Sequence, residues 1–140
     1  MRVEQRPPTA GIAACVLYLL AVFAPYVALS ETELSGFGVY YNDYGIAGPQ
    51  FLSLLAVVAI VLFAAGRELR TQPDYVAGLT LVLGFVLTLF VLLWAVSVPE
   101  DVVASIGEAV WLEYHRWAVL ALSAAVVACS VWYARALSLL

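Results

Sequence analysis

Apolar residues in this chain run together instead of alternating with polar ones. Four long stretches, at about 10–29, 47–66, 75–98 and 112–135, are almost free of charge, and the uncharged part of the last begins at Trp117. About 20 such residues in a helix cross a hydrocarbon core of about 30 Å. In lipid every backbone N–H and C=O must find its partner inside the segment, so helices are forced and strands too few to close a barrel are excluded. The pattern therefore predicts an all-α, integral membrane four-helix bundle in which residues 1–140 form one transmembrane domain. A short turn at 67–74, with Pro73 placed to open the next helix, predicts antiparallel neighbours and an up-down-up-down order. The other connections, at about 30–46 and 99–111, hold the Gly, Asn, Asp and Pro residues that break helices. The first is read as an aromatic-rich lid. The second is read as a short interfacial helix capped by Ser97. Ala28-Leu29-Ser30 faintly resembles a signal cleavage site, but the apolar run before it is longer than a signal core of about 7–15 residues, so the span is expected to be retained.

Composition agrees and narrows the picture. Of the 140 residues, 65% are hydrophobic and 11% charged, and the mean hydropathy is +1.00; soluble domains run at about 45–50% and about 25%. A soluble enzyme, a disulfide scaffold and a nucleic-acid-binding domain are all excluded, and the lipid bilayer is the expected surrounding. Ten acids face six arginines with no lysine, a balance suited to a salt-adapted host. Arg2, Arg6, Arg67, Arg70 and Arg135 belong to one side of the pattern and Arg116 alone to the other. The positive-inside rule then puts both termini in the cytoplasm of a multi-pass cell-membrane protein. The outer loops are acidic, with Glu31, Glu33 and Asp43 in one and Glu100, Asp101, Glu108 and Glu113 in the other.

Helices in lipid associate through small residues and occasional polar groups. Stripes at helical spacing pick out Gly11, Cys15, Tyr18, Val22 and Pro25 on the first span and Ser53, Ala56, Ile60 and Phe63 on the second. The third carries Ala77, Thr80, Gly84, Thr88, Val91 and Ala95. The fourth carries Glu108, Trp111, His115, Ala118, Leu122, Ala125, Cys129 and Trp132. The expected helix-packing residues are Gly11, Cys15, Tyr18, Ala56, Thr80, Gly84, Thr88, Ala118, Ala125 and Cys129. Cys15 and Cys129 fall at similar depth near the cytoplasmic side and are read as packing thiols.

No span holds a charge at its middle, which argues against a pump or coupled transporter. The single histidine and the scattered thiols provide no haem or zinc ligand set, so no catalytic, cofactor or metal residue is assigned. His115, within Trp111-Leu112-Glu113-Tyr114-His115-Arg116-Trp117, is read first as an interfacial anchor beside a Glu113–Arg116 pair. The sharper alternative is an outer-mouth site of Glu108, Trp111, His115 and Tyr44. Segments Val39-Tyr40-Tyr41-Asn42-Asp43-Tyr44-Gly45, Ala64-Ala65-Gly66-Arg67-Glu68, Leu92-Leu93-Trp94-Ala95, Trp111 to Trp117, and Trp132-Tyr133-Ala134-Arg135-Ala136-Leu137 resemble an uncharacterised family of small four-span membrane proteins of haloarchaea. The resemblance implies the topology and the host, and no activity. A non-enzymatic structural or accessory subunit, packing with its own copies or with a larger membrane protein, is the leading expectation. A small oligomeric channel or carrier is the first rival, and a membrane enzyme or redox protein working near His115 the second.

Overall fold

Two prolines open helices and two left-handed residues close them. The computed structural model describes residues 3–28, 41, 45, 47–99, 101 and 112–140. A 3₁₀ turn at Val3–Gln5 leads into α1 (Arg6–Ala28), followed by α2 (Pro49–Arg67), α3 (Pro73–Ser97) and α4 (Leu112–Ala136). Pro49 and Pro73 sit at the first helical position, where the missing N–H has no intrahelical partner to lose and the fixed φ is already helical. Pro7 and Pro8 similarly occupy the first turn of α1, which begins at Arg6, ahead of the expected residue 10. Past the end of α2, Leu69 adopts φ 59°. Its N–H bonds the Gly66 carbonyl at 3.2 Å and that of Arg70 bonds Ala65 at 2.9 Å. The end of α4 repeats this closure with Ser138 at φ 62°, using Ser138 to Arg135 at 3.0 Å and Leu139 to Ala134 at 2.8 Å. Both are paired-carbonyl terminations usually built on glycine.

No strand occurs among the described residues. The four helices pack in chain order and close into a ring, α1 against α2, α2 against α3, α3 against α4, and α4 back against α1. Their directions alternate. Gly11 near the start of α1 lies against Phe63 near the end of α2, and Gly84 of α3 lies against Val126 and Val127 of α4. The start of α4 meets the end of α3 through Arg116 and Val98, and meets α1 through His115 and Ala21. Each helix is long and apolar enough to cross a membrane, with only 33% to 39% of each apolar window buried. The remaining apolar faces point out of the bundle, as expected of helices long and apolar enough to cross a membrane.

The centre is filled. Cys15, Tyr18, Val22, Ala56, Ala59, Phe63, Leu87, Val91, Trp94, Val119 and Val126 are fully buried. Small residues set the close approaches: a Cβ at Gly11 would meet the Phe63 ring at 2.6 Å, and one at Gly66 would meet the Tyr133 hydroxyl at 2.7 Å. Hydroxyls at this depth bond their own helix. Ser53 donates to Pro49 O (3.0 Å), Thr80 to Val76 O (2.7 Å), Ser123 to Leu120 O (2.7 Å) and Ser130 to Val126 O (2.9 Å). The buried Thr88 Oγ1 has no partner.

On α1 the whole expected stripe, Gly11, Cys15, Tyr18, Val22 and Pro25, is buried. Ala56, Thr80 and Gly84 are buried too, and Thr88 is half-buried. The fourth helix requires a correction. Its inward positions are His115, Arg116, Val119, Ser123, Val126, Ser130, Tyr133 and Ala134, while Ala118 and Trp132 face outward. Ala125 and Cys129 are half-buried at the edge of the seam. Reading α4 from its small residues turns it about one position too far, because lipid does not penalise an exposed alanine. Its rotation is set by His115 and Arg116, whose polar heads must reach carbonyls, and by the valines that cover Gly84. Ser97 belongs to the last turn of α3, where its hydroxyl donates to Leu93 O. The expected interfacial helix and most of the lid lie outside the described residues.

Gly84 and Gly78 share α3 and face opposite ways. A Cβ at 84 would lie 3.1 Å from Val127 Cγ2, whereas one at 78 meets nothing within 4 Å. Gly84→Leu should destabilise the bundle by about 1–3 kcal/mol through overpacking. Gly78→Leu should be neutral or slightly stabilising, because leucine has the better helix propensity. Thermal melts in one detergent check this, and equal melting of the two variants would refute the inward assignment of Gly84.

Candidate functional site

The chemistry-bearing side chains gather where α1 and α3 end and α2 and α4 begin. The local cause is Pro25. It lies inside α1 and has no N–H, so the carbonyl four residues earlier, at Ala21, loses its intrahelical donor. His115 takes that carbonyl, with Nε2 2.7 Å from Ala21 O. A carbonyl only accepts, so Nε2 carries the proton and the neutral ring's Nδ1 is the acceptor. The next carbonyl, Val22 O, accepts from the hydroxyl of Tyr41. The two partners come from far along the chain and meet on adjacent carbonyls of one turn.

Aromatic rings surround this pair. The Tyr41 and His115 ring centroids lie 6.0 Å apart at 33°. Trp94, fully buried at the end of α3, meets Tyr41 edge-on at 5.8 Å and 69°. Tyr26 meets it from the other side at 6.1 Å and 64°, and donates its hydroxyl to Gln50 Oε1 at 2.6 Å. Tyr18, one α1 turn below Val22, donates across the bundle to Pro49 O at 3.1 Å. Gly45, at φ 73°, has room only for hydrogen, since a Cβ would come within 2.9 Å of the Trp94 Cα. His115 and Arg116 are only 6% and 7% exposed.

Of the expected outer-mouth residues, the structure describes His115. Tyr44, Glu108 and Trp111 lie outside the described residues. The side chain of Glu113, the expected ion-pair partner of Arg116, lies outside the described residues; Arg116 itself is buried, and its Nη1 donates to Val98 O at 2.9 Å. Val98 lies just past the carboxyl end of α3, where carbonyls lack intrahelical donors and carry partial negative charge. Sequence reasoning missed Tyr41 and Trp94. One signal was present, since a proline inside a span orphans a carbonyl that some donor must reach, and His115 and Tyr41 are donors at the same end.

The opposite end carries a second polar group. Arg67 Nε donates to Thr9 Oγ1 at 2.9 Å, and that hydroxyl donates on to Gln5 O at 2.6 Å. Arg67 also pairs with Glu68. A half-open cavity of about 290 Å³ lies there, between the α2–α3 turn and the chain's two ends, with Gln5, Arg67, Tyr133 and Ser138 in its wall. Among the described residues no group of three metal-ligating side chains forms.

Four apolar helices closed around a filled core define a small multi-pass membrane protein. The chain belongs to a family of unknown function (DUF7548), whose sequence profile matches residues 1–138. No curated protein and no solved structure matches it.

The His115 bond makes a sharp double-mutant test. His115→Phe keeps the ring but leaves Ala21 O unpaired, at a cost of about 1–3 kcal/mol. Pro25→Ala restores the N–H that Ala21 O lacks, so in that background His115→Phe should cost clearly less. Chemical or thermal unfolding of the four variants gives the coupling. Strict additivity would mean that His115 does not serve the proline-freed carbonyl.

Proposed function

We propose that this protein is a non-enzymatic structural or accessory subunit of the cell membrane, packing with further copies of itself or with a larger membrane protein. The observation that supports this reading is how its reactive groups are used. Tyr18, Tyr41 and His115 each bond a backbone carbonyl, and the bundle axis is occupied by fully buried side chains from Cys15 to Val126. His115 is the described member of the set on which the enzymatic alternative was placed, and its Nε2 is engaged by Ala21 O. In the proposed setting both termini face the cytoplasm and the His115 end faces outward, supported by the five-to-one division of arginines. The lysine-free acidic composition supports a salt-adapted, haloarchaeal host.

Gentle extraction from the native membrane, followed by native mass spectrometry, tests the role. A fixed stoichiometric assembly is expected, together with silence of the purified protein in planar bilayers. A steady conductance would replace this reading with the channel, and a partnerless monomer would remove the accessory role.

Orientation is tested separately in a Cys15→Ala, Cys129→Ala background. A membrane-impermeant maleimide applied to intact cells should label Asp101→Cys and should reach Arg70→Cys only after lysis. The reverse pattern would invert the topology.

A further inference from the structure

Arg116 is a buried permanent charge with no ion-pair partner among the described residues. Its side chain is 7% exposed, and arginine stays protonated under all ordinary conditions. Of its five N–H donors, Nη1 bonds the Val98 carbonyl at 2.9 Å, while the buried Nε has no partner. The guanidinium also lies over the Trp117 ring, with Cζ 5.2 Å from the centroid. Among the described residues the ion pair is Arg67–Glu68, at the far end of the bundle. A carbonyl and a ring face offer partial charge only, and a buried charge lacking a full partner is costly. With Nη1 engaged, the Nε–Nη2 edge remains. That edge presents two parallel N–H groups, the fork that matches two oxygens of one oxyanion.

Depth selects the oxyanion. Arg116 stands immediately before the uncharged run that begins at Trp117, and its partner Val98 follows directly on α3, which ends at Ser97. Tyr114 and Trp117 flank it and are 68% and 43% exposed. Exposed aromatics at the ends of spans mark the headgroup level of a bilayer. The oxyanion abundant at that level is a lipid phosphate. A net-anionic headgroup leaves its charge available to the guanidinium, whereas a zwitterionic one brings its own cation. We infer that Arg116 and Trp117 form a binding site for the phosphate of a net-anionic lipid headgroup at the His115 end of the bundle. The site does not depend on the accessory role, nor on which side of the membrane that end faces.

The test uses the full chain in nanodiscs of phosphatidylcholine, alone or doped with phosphatidylglycerol, at constant ionic strength. Melting is followed by intrinsic fluorescence, and retained lipid by native mass spectrometry. Phosphatidylglycerol should raise the melting temperature of the wild type by several degrees and should be retained preferentially over phosphatidylcholine. Arg116→Gln should lose both effects, while Arg70→Gln, which removes an exposed arginine, should keep both. A preference undiminished in Arg116→Gln, or absent from the wild type, would overturn the assignment. Inorganic phosphate added to phosphatidylcholine discs separates the sources, and a stabilisation equal to that by phosphatidylglycerol would make the ligand free phosphate and overturn the lipid. If Arg116→Gln does not fold, Arg116→Lys decides. It keeps the charge and loses the fork, so its phosphatidylglycerol preference should fall well below wild type, and an unchanged preference would refute the bidentate site.

Discussion

A carbonyl without a hydrogen bond cannot be left in lipid, and the arrangement of this bundle follows from that constraint. Where water is present, a proline inside a helix costs a bond that solvent partly replaces. In a hydrocarbon layer no solvent is available, and the freed group must be met by another part of the chain. Pro25 creates that need in α1. His115 meets it at Ala21, and Tyr41 meets the neighbouring Val22 carbonyl. Side chains also join α1 to α2 through Tyr18 and Pro49, and α4 to α3 through Arg116 and the helix-end carbonyl of Val98. Three of the four helix pairs are thus held at one end by a side chain bonded to a backbone oxygen, in a medium where such bonds have little competition.

The two ends of the bundle differ because of how these bonds are distributed. At the His115 end they are buried, aromatic and long-range in sequence. At the other end Gln5, Thr9, Arg67 and Glu68 form a more exposed network beside an open cavity. Between them the polar atoms turn back on their own helices, as Ser53, Thr80, Ser123 and Ser130 do. Packing through the middle is therefore a matter of shape. Gly11 receives the Phe63 ring, Gly66 the Tyr133 hydroxyl end, and Gly84 the two valines of α4. A membrane bundle gains little from hiding apolar surface, so contacts of this kind carry its cohesion.

Histidine, tyrosine, tryptophan and arginine in one cluster have the makings of a catalytic centre, and here Tyr18, Tyr41, His115 and one N–H of Arg116 are directed at backbone. The residue least satisfied by that arrangement is Arg116. It neutralises the partial charge at the end of α3 and still carries a whole charge of its own, which is why a ligand is expected at Arg116 and not at the histidine beside it.

The apolar runs alone determined that four helices form and roughly where they lie, because the hydrocarbon thickness and the need for internal backbone bonds leave no other solution. They also determined the inward face of α1, where glycine, cysteine, tyrosine, valine and proline recur at one spacing with no competing stripe. The rotation of α4 was decided only by the tertiary structure. Alanine and valine are almost equally at home against protein and against lipid, so Ala118 looked as suitable for the interior as Val119. What turned the helix was the requirement that His115 and Arg116 reach carbonyls on two other helices, and those carbonyls are set by a proline and a helix end more than 15 residues away. Tyr41 was hidden for the same reason. Tyr41 shows no helical periodicity with the spans, and its role exists only once it is brought against the Val22 carbonyl of α1.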